Sequence, residues 1–288
     1  MSKRATRVQI AQETVSILER GRYALPTGEE VSIREPLESA HSRSVLYTPD
    51  HFADVIPRRD QILRECGNRP PVAFDVVNET TLCAARRLAT AEGVARVLAL
   101  NFASARNPGG GFLKGSQAQE ESLARASGLY GCIAPLRAMY DANQRFRSCL
   151  YTDHMIYSPD VPVFRADDDS LLDRPYPVSF VTAPAVNAGA VRTNEPKNLS
   201  RLEPVMLARM EKLLSLAVVH GHEVLVLGAW GCGVFANDPE RVATWFARHL
   251  TGDGLFRTAF ERVVFAVLDQ TATKATIRPF ERLFGPSA

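Results

Sequence analysis

Residues 96–121 read RVLALNFASARNPGGGFLKGSQAQEE, a short apolar run followed by a triple glycine and then by two adjacent glutamates. The run at 96–104 is apolar on both faces, which is typical of a strand buried in a parallel sheet. Successive glycines permit positive φ angles and a close approach of the backbone to a ligand. A buried strand that ends in such a loop predicts an α/β fold with a binding site at the carboxyl end of that strand.

Further runs along the chain resemble this strand. Short, apolar and often β-branched segments lie at 70–78, 154–165, 178–186, 222–230 and 261–269. Helical patterns lie between most of them, at 80–92, 119–143, 199–221 and 239–252. This alternation predicts a largely parallel sheet packed between helices.

The first part of the chain has a different pattern. Residues 6–20 predict a helix. Val8, Ala11, Val15 and Leu18 fall on one face at helical spacing, and Ile10 and Ile17 widen this apolar side. Polar, proline-containing sequence follows, so we expect 1–69 to be an N-terminal helical extension packed on a main domain at 70–288.

Composition excludes several classes of protein. Hydrophobic residues make up 45% of the chain, charged residues 23%, and the formal net charge is +2, which is ordinary for a globular protein. Such a charge gives no general case for nucleic-acid binding, so an anionic substrate would have to be held by local features. The 5 cysteines are scattered without metal-binding spacing, so we expect no metal, no cofactor and reduced thiols. With neither a signal peptide nor an apolar run of roughly 20 residues, the sequence predicts a cytoplasmic protein away from membranes. Separately, we expect a monomer.

Two of the loops that follow predicted strands are rich in glycine and poor in charge. One is the loop at 105–118, and the other reads GCGVFAND at 231–238. Loops of this composition hold phosphate groups through backbone N–H groups. A site built mainly from main chain is therefore predicted at this edge of the sheet.

The triplet Gln119-Glu120-Glu121 admits two interpretations. Ser116 and Gln119 have the spacing of a capping box, and acidic residues in a first helical turn are favoured by the helix dipole. Alternatively, the carboxylates act on a ligand bound beside the glycine loop. Successive helical residues point about 100° apart, so Glu120 and Glu121 are expected to have different roles.

The segment at 107–130, NPGGGFLKGSQAQEESLARASGLY, resembles the signature of poly(ADP-ribose) glycohydrolases. Segments at 151–165, 181–189 and 227–238 are similar to the bacterial-type branch of that family. The resemblance implies a macrodomain, a three-layer α/β/α fold with a mostly parallel mixed central sheet. It also implies that the chain binds poly(ADP-ribose) or ADP-ribose and acts on ADP-ribosylated proteins.

The resemblance further assigns roles to particular residues. Glu121 is implied to be the catalytic acid, Glu120 to bind ribose hydroxyls, and Gln119 to support the same site. The residues implied to hold the terminal ribose and its phosphate are Asn107, Gly109, Gly110 and Gly111. Those implied to form the diphosphate loop are Gly231, Cys232, Gly233, Val234 and Phe235.

The chain departs from the animal-type enzymes of this family at two positions. Asn101 stands where those enzymes carry an Asp, and Ser104 stands where they carry an Asn. A direct role of these two side chains is therefore in doubt, and the bacterial-type branch is favoured.

The expected reaction is hydrolysis of ribose–ribose bonds through an oxocarbenium-like transition state, with Glu121 as general acid and base. A macrodomain that binds ADP-ribose without cleaving it is the main alternative. A hydrolase that removes single ADP-ribose units from proteins is the second. The acidic pair favours the first hypothesis, because a binding module needs the phosphate loops but not two carboxylates.

Overall fold

The computed structural model describes residues 2–65 and 69–285. The helices are α1 (Lys3–Arg20), α2 (Arg34–Ser42), α3 (Phe52–Glu65), α4 (Thr81–Arg86), α5 (Gln119–Ala126), α6 (Leu129–Ile133), α7 (Ala138–Arg145), α8 (Ala188–Asn194), α9 (Leu202–Val219), α10 (Pro239–Leu250) and α11 (Arg278–Phe284). The strands are β1 (Arg22–Ala24), β2 (Glu30–Ser32), β3 (Val45–Tyr47), β4 (Ala73–Val77), β5 (Val97–Phe102), β6 (Met155–Arg165), β7 (Leu171–Ala183), β8 (Val224–Leu227) and β9 (Arg262–Ala266).

Within the described residues, a 7-stranded sheet has the order β3-β6-β7-β5-β8-β9-β4. The strands β7, β5, β8, β9 and β4 pair parallel with one another, whereas β6 pairs antiparallel with both β7 and β3. The strands predicted from apolar runs are all present as β4 to β9. The expected mixed, mostly parallel α/β fold is therefore confirmed.

Both faces of this sheet are buried, which explains the continuous apolar runs. On β5, Leu98 and Leu100 belong to one core cluster, which also contains the apolar residues of α9. Val97 and Ala99 point the other way, into a second cluster shared with α4 to α7. Because side chains alternate along a strand, a strand covered by helices on both faces is apolar along most of its length.

The predicted helix over 119–143 is three short helices, α5 to α7. Between α5 and α6, Ser127 forms an isolated antiparallel bridge with Val163 of β6, and its hydroxyl donates to Leu123 O at 2.7 Å. A side chain at Gly128 would overlap Leu37, so the chain is drawn close to α2 at this point. Tertiary contacts therefore break a pattern that is locally helical.

The N-terminal residues contribute directly to the sheet, since Val45 of β3 pairs with Tyr157 of β6. In α1 the buried positions are Ala11, Thr14 and Ile17. The buried face thus includes Ala11 and Ile17 from the predicted apolar side, and the polar Thr14 lies between them. The division of the chain at residue 69 stays a prediction.

Candidate active site

The loops that follow β4, β5, β8 and β9 surround a cleft of about 1200 Å³. The structure brings almost all of the predicted site residues to it. Those that line the cleft are Asn107, Gly110, Gly111, Gln119, Glu120, Glu121, Gly231, Cys232, Gly233, Val234 and Phe235. Gly109 instead lies buried, and a side chain there would meet the rings of Phe112 and Tyr130.

Glu120 is the buried member of the acidic pair, with 3% of its surface exposed. Its Oε2 accepts a hydrogen bond from the Ser104 N–H at 2.6 Å, and its Oε1 accepts one from Asn101 Nδ2 at 3.3 Å. Burial raises the pKa of Glu120 to about 8, although these hydrogen bonds oppose the shift. The carboxyl group of Glu120 is therefore mostly protonated at pH 7.

Asn101 and Ser104 thus have roles that the sequence comparison left in doubt. Both support Glu120, one through its side chain and the other through its backbone N–H. Asn101 is itself fully buried and also donates to Thr182 Oγ1 at 3.2 Å. The only sequence signal for this role is their position at the end of a predicted strand.

Glu121 is partly exposed and lies on the cleft side of α5. Its Oε1 accepts a hydrogen bond from the Gly111 N–H at 3.0 Å. Gly110 adopts a φ of 60°, and a Cβ on it would overlap Glu121 Oε1 and approach Glu120 Oε2 at 3.2 Å. The glycine loop therefore packs directly against both carboxyl groups, which only a residue without a side chain allows.

Gln119 anchors the helix to the sheet. Its Oε1 accepts from the Phe102 N–H at 2.9 Å, and its Nε2 donates to Leu100 O at 2.7 Å. The capping-box interpretation was wrong, because the N-cap of α5 is Ala118, without a side-chain hydrogen bond. Gln119 fixes the first turn of α5 at the end of β5, and so sets where the acidic pair lies.

The second glycine-rich loop is folded around Asn237, which is 3% exposed. The backbone N–H of Asn237 donates to Gly231 O at 3.0 Å, and its Nδ2 donates to Val186 O at 2.8 Å. Gly231 has a φ of 76°, and a Cβ there would overlap the Asn237 side chain. The contacts of Asn237 therefore hold the loop on the side that packs against the protein. The side that faces the cleft remains open.

Apolar side chains lie at the open side of this loop. Val234 is 87% exposed, and the Phe235 ring packs against Tyr151 with 5.8 Å between ring centroids. Burial raises the pKa of the Cys232 thiol to about 12, which makes it a poor nucleophile at neutral pH. Trp230 is fully buried and donates to Ala183 O at 3.2 Å, as expected for a residue that packs the strand end.

Comparison with known proteins identifies the family. Residues 11–166, more than half of the chain, match the family model described as "Microbial-type PARG, catalytic domain". The chain belongs to this family. No curated protein matched the chain.

Solved structures of microbial PARG agree with this assignment. The poly(ADP-ribose) glycohydrolase from Thermomonospora curvata is 45% identical, with a TM-score of 0.88, over 97% of this chain and 100% of that chain. A structure of that protein bound to the inhibitor ADP-HPD is 44% identical, with a TM-score of 0.85, over 96% and 99% of the two chains. The Deinococcus radiodurans protein in complex with ADP-ribose is 44% identical, with a TM-score of 0.80, over 88% and 98%.

Two features are absent from residues 2–65 and 69–285 of this PARG-family chain. No group of three or more His, Cys, Asp or Glu side chains is arranged to hold a metal ion. No helix is long and apolar enough to cross a membrane.

The buried Glu120 predicts a pH-dependent stability. The folded pKa of Glu120 is raised to about 8. Its contribution to stability is therefore complete below the unfolded pKa and is lost progressively as the pH rises from that value to about 8. Glu120→Gln removes this titration. We expect the free energy of unfolding of Glu120→Gln, relative to wild type, to rise between pH 5 and 8 by on the order of 3 kcal/mol.

Urea unfolding at several pH values measures this difference, with the exposed Glu29→Gln as the matched control. A difference between Glu120→Gln and wild type that stays constant across this range would show that burial of the charged form carries no cost.

Proposed function

We propose that the protein hydrolyses the ribose–ribose O-glycosidic bonds of poly(ADP-ribose) and releases ADP-ribose, with Glu121 as general acid and base. The observation that carries this proposal is the position of the Glu121 carboxylate. It lies against the glycine loop, held by the Gly111 N–H, within a cleft whose other wall is the loop from Gly231 to Phe235.

The geometry favours Glu121 over Glu120 for proton transfer. Cleavage of a glycosidic bond requires a proton on the leaving oxygen and then an activated water molecule. Both side chains line the cleft, but Glu121 is partly exposed, whereas Glu120 is buried and both of its oxygens accept hydrogen bonds from the protein. In this proposal Glu120 orients the ribose, and its raised pKa reduces the negative charge beside Glu121.

The second loop offers donors for a diphosphate. In the part of the chain that the structure describes, the backbone N–H groups of Gly233, Val234 and Phe235 donate to no protein acceptor. Three successive free amides match the needs of an anion without a basic side chain. A diphosphate held there would also stabilise the positive charge that develops on the neighbouring sugar.

The expected partners, oligomeric state, cellular location and domain division form part of this proposal. The polymer is carried by ADP-ribosylated proteins, and the enzyme acts on it as a monomer in the cytoplasm. Residues 1–69 form an extension of the catalytic domain at 70–288. Size-exclusion chromatography with light scattering tests the monomeric state.

Incubation of the wild-type protein with purified poly(ADP-ribose) tests the activity. Chromatography of the products should show free ADP-ribose accumulating until the polymer is consumed. Binding of the polymer without any product would support the non-catalytic alternative. Release of ADP-ribose only from proteins that carry single units would support the second alternative.

A further inference from the structure

Three consecutive backbone carbonyls lie between the glycine loop and α5, and each accepts a hydrogen bond from an arginine. Arg4 Nε donates to Lys114 O at 3.0 Å, and Arg7 Nε donates to Gly115 O at 2.8 Å. Arg125 Nη1 donates to Ser116 O at 3.0 Å. We call these three side chains the arginine clamp.

Two members of the clamp come from α1, more than 100 residues away in the sequence. This helix is seated directly on the clamped segment. A Cβ on Gly115 would meet the Arg4 carbonyl at 2.5 Å and Val8 at 3.0 Å, so there is no space between them. Thr14 Oγ1 also donates to Arg125 O at 2.7 Å, which ties α1 to α5.

The clamped segment is linked to the proposed catalytic group through one residue, Gly111. The backbone N–H groups of Lys114 and Ser116 donate to Gly111 O at 2.9 and 3.1 Å. The N–H of Gly111 in turn donates to Glu121 Oε1 at 3.0 Å. The Gly111 carbonyl is therefore bound by the clamped segment, and the Gly111 N–H is bound by Glu121.

A loop that contains Gly109, Gly110, Gly111 and Gly115 has many conformations open to it when it is free. Carbonyls at the end of a short helical turn also lack partners of their own. Guanidinium groups supply charge-assisted hydrogen bonds to these carbonyls. The clamp thus removes conformations in which the Gly111 N–H would point away from Glu121.

We propose that Arg4, Arg7 and Arg125 are positioning residues that hold the glycine loop in the conformation required by Glu121. This proposal rests on the proposed function. It makes the N-terminal helix part of the catalytic apparatus.

The test compares Arg7→Ala and Arg4→Ala/Arg7→Ala with wild type. Misplacement of a reacting group by about 1 Å costs roughly 100-fold in rate. We expect kcat on poly(ADP-ribose) to fall by about 10-fold in the single variant and about 100-fold in the double variant. ADP-ribose affinity, measured by calorimetry, should fall by a smaller factor than kcat, because the loop at 231–238 is untouched. Arg7→Lys, which retains one cationic donor, should recover part of the loss.

The matched control is Arg20→Ala, on the same helix, where Arg20 contacts Ser16 in an exposed position. Thermal unfolding of every variant separates loop displacement from general loss of structure. The proposal is overturned if the folded double variant keeps kcat within about 2-fold of wild type, or if affinity falls by the same factor as kcat.

Amide hydrogen exchange distinguishes failure of this proposal from failure of the proposed function. The N–H groups of Gly111 and Ser116 should exchange about 10-fold faster in Arg7→Ala than in wild type, with amides of the central sheet unchanged. This measurement needs no substrate. If wild type proves inactive but these amides lose protection in Arg7→Ala, the proposed function is wrong, whereas the hold of the clamp on the glycine loop is confirmed. Unchanged protection overturns the clamp whatever the activity.

Discussion

Glu121→Gln should lower kcat on poly(ADP-ribose) by at least about 1000-fold, the upper part of the range for loss of a general acid and base. The amide is isosteric and can still accept the Gly111 N–H bond that Glu121 accepts at 3.0 Å. It cannot give or take the proton that the reaction requires. Product release is measured by chromatography, and ADP-ribose affinity by calorimetry should remain within about 3-fold of wild type.

Glu120→Gln is the matched variant for this experiment, because it makes the same change from carboxyl group to amide at the neighbouring position of the same helix. Its amide oxygen can keep the bond from the Ser104 N–H, and the carboxyl group that it replaces is already mostly protonated at pH 7. We expect a loss of about 10- to 100-fold, from poorer orientation of the ribose. If Glu120→Gln proves the more damaging change while Glu121→Gln retains activity, the assigned roles are reversed.

The second large effect is expected for Gly110→Ala. The new Cβ would overlap Glu121 Oε1, and the φ of 60° at this position is unfavourable for alanine. Either the loop or the carboxylate must move, so we expect kcat to fall by at least about 100-fold. Steady-state kinetics on poly(ADP-ribose) measure this loss.

Gly93→Ala controls for the backbone strain alone. Gly93 has a φ of 69°, and a Cβ there would meet nothing within 4 Å. Its substitution should cost stability of about 1 kcal/mol and leave the activity at the wild-type level. Equal losses of activity in the two variants would mean that φ strain, and not contact with Glu121, explains the effect of Gly110→Ala.

Much of the fold follows from local sequence patterns. The strands β4 to β9 were predictable because a strand buried on both faces requires an unbroken apolar run, as Val97 to Leu100 show. The glycine loop and the acidic pair were also visible in the sequence, since conformational freedom and charge are properties of the residues themselves. The position of this site at the carboxyl end of β5 followed from the order of strand, loop and helix.

Other features depend on contacts between distant segments, which local patterns do not record. Strand β3 has three residues, too few for a periodic signal, and becomes a strand only by pairing with β6. The interruption at Ser127 and Gly128 arises from β6 and α2, so residues 119–143 in isolation resemble one helix.

The chemical environment of the site also depends on the tertiary structure. The sequence by itself determined that two adjacent glutamates follow a glycine loop at the end of a buried strand. Only the fold decided that Glu120 is buried with a raised pKa while Glu121 faces the cleft. The same holds for the hydrogen bonds from Arg4 and Arg7 to the loop, because desolvation and hydrogen bonding depend on which groups the folded chain brings together.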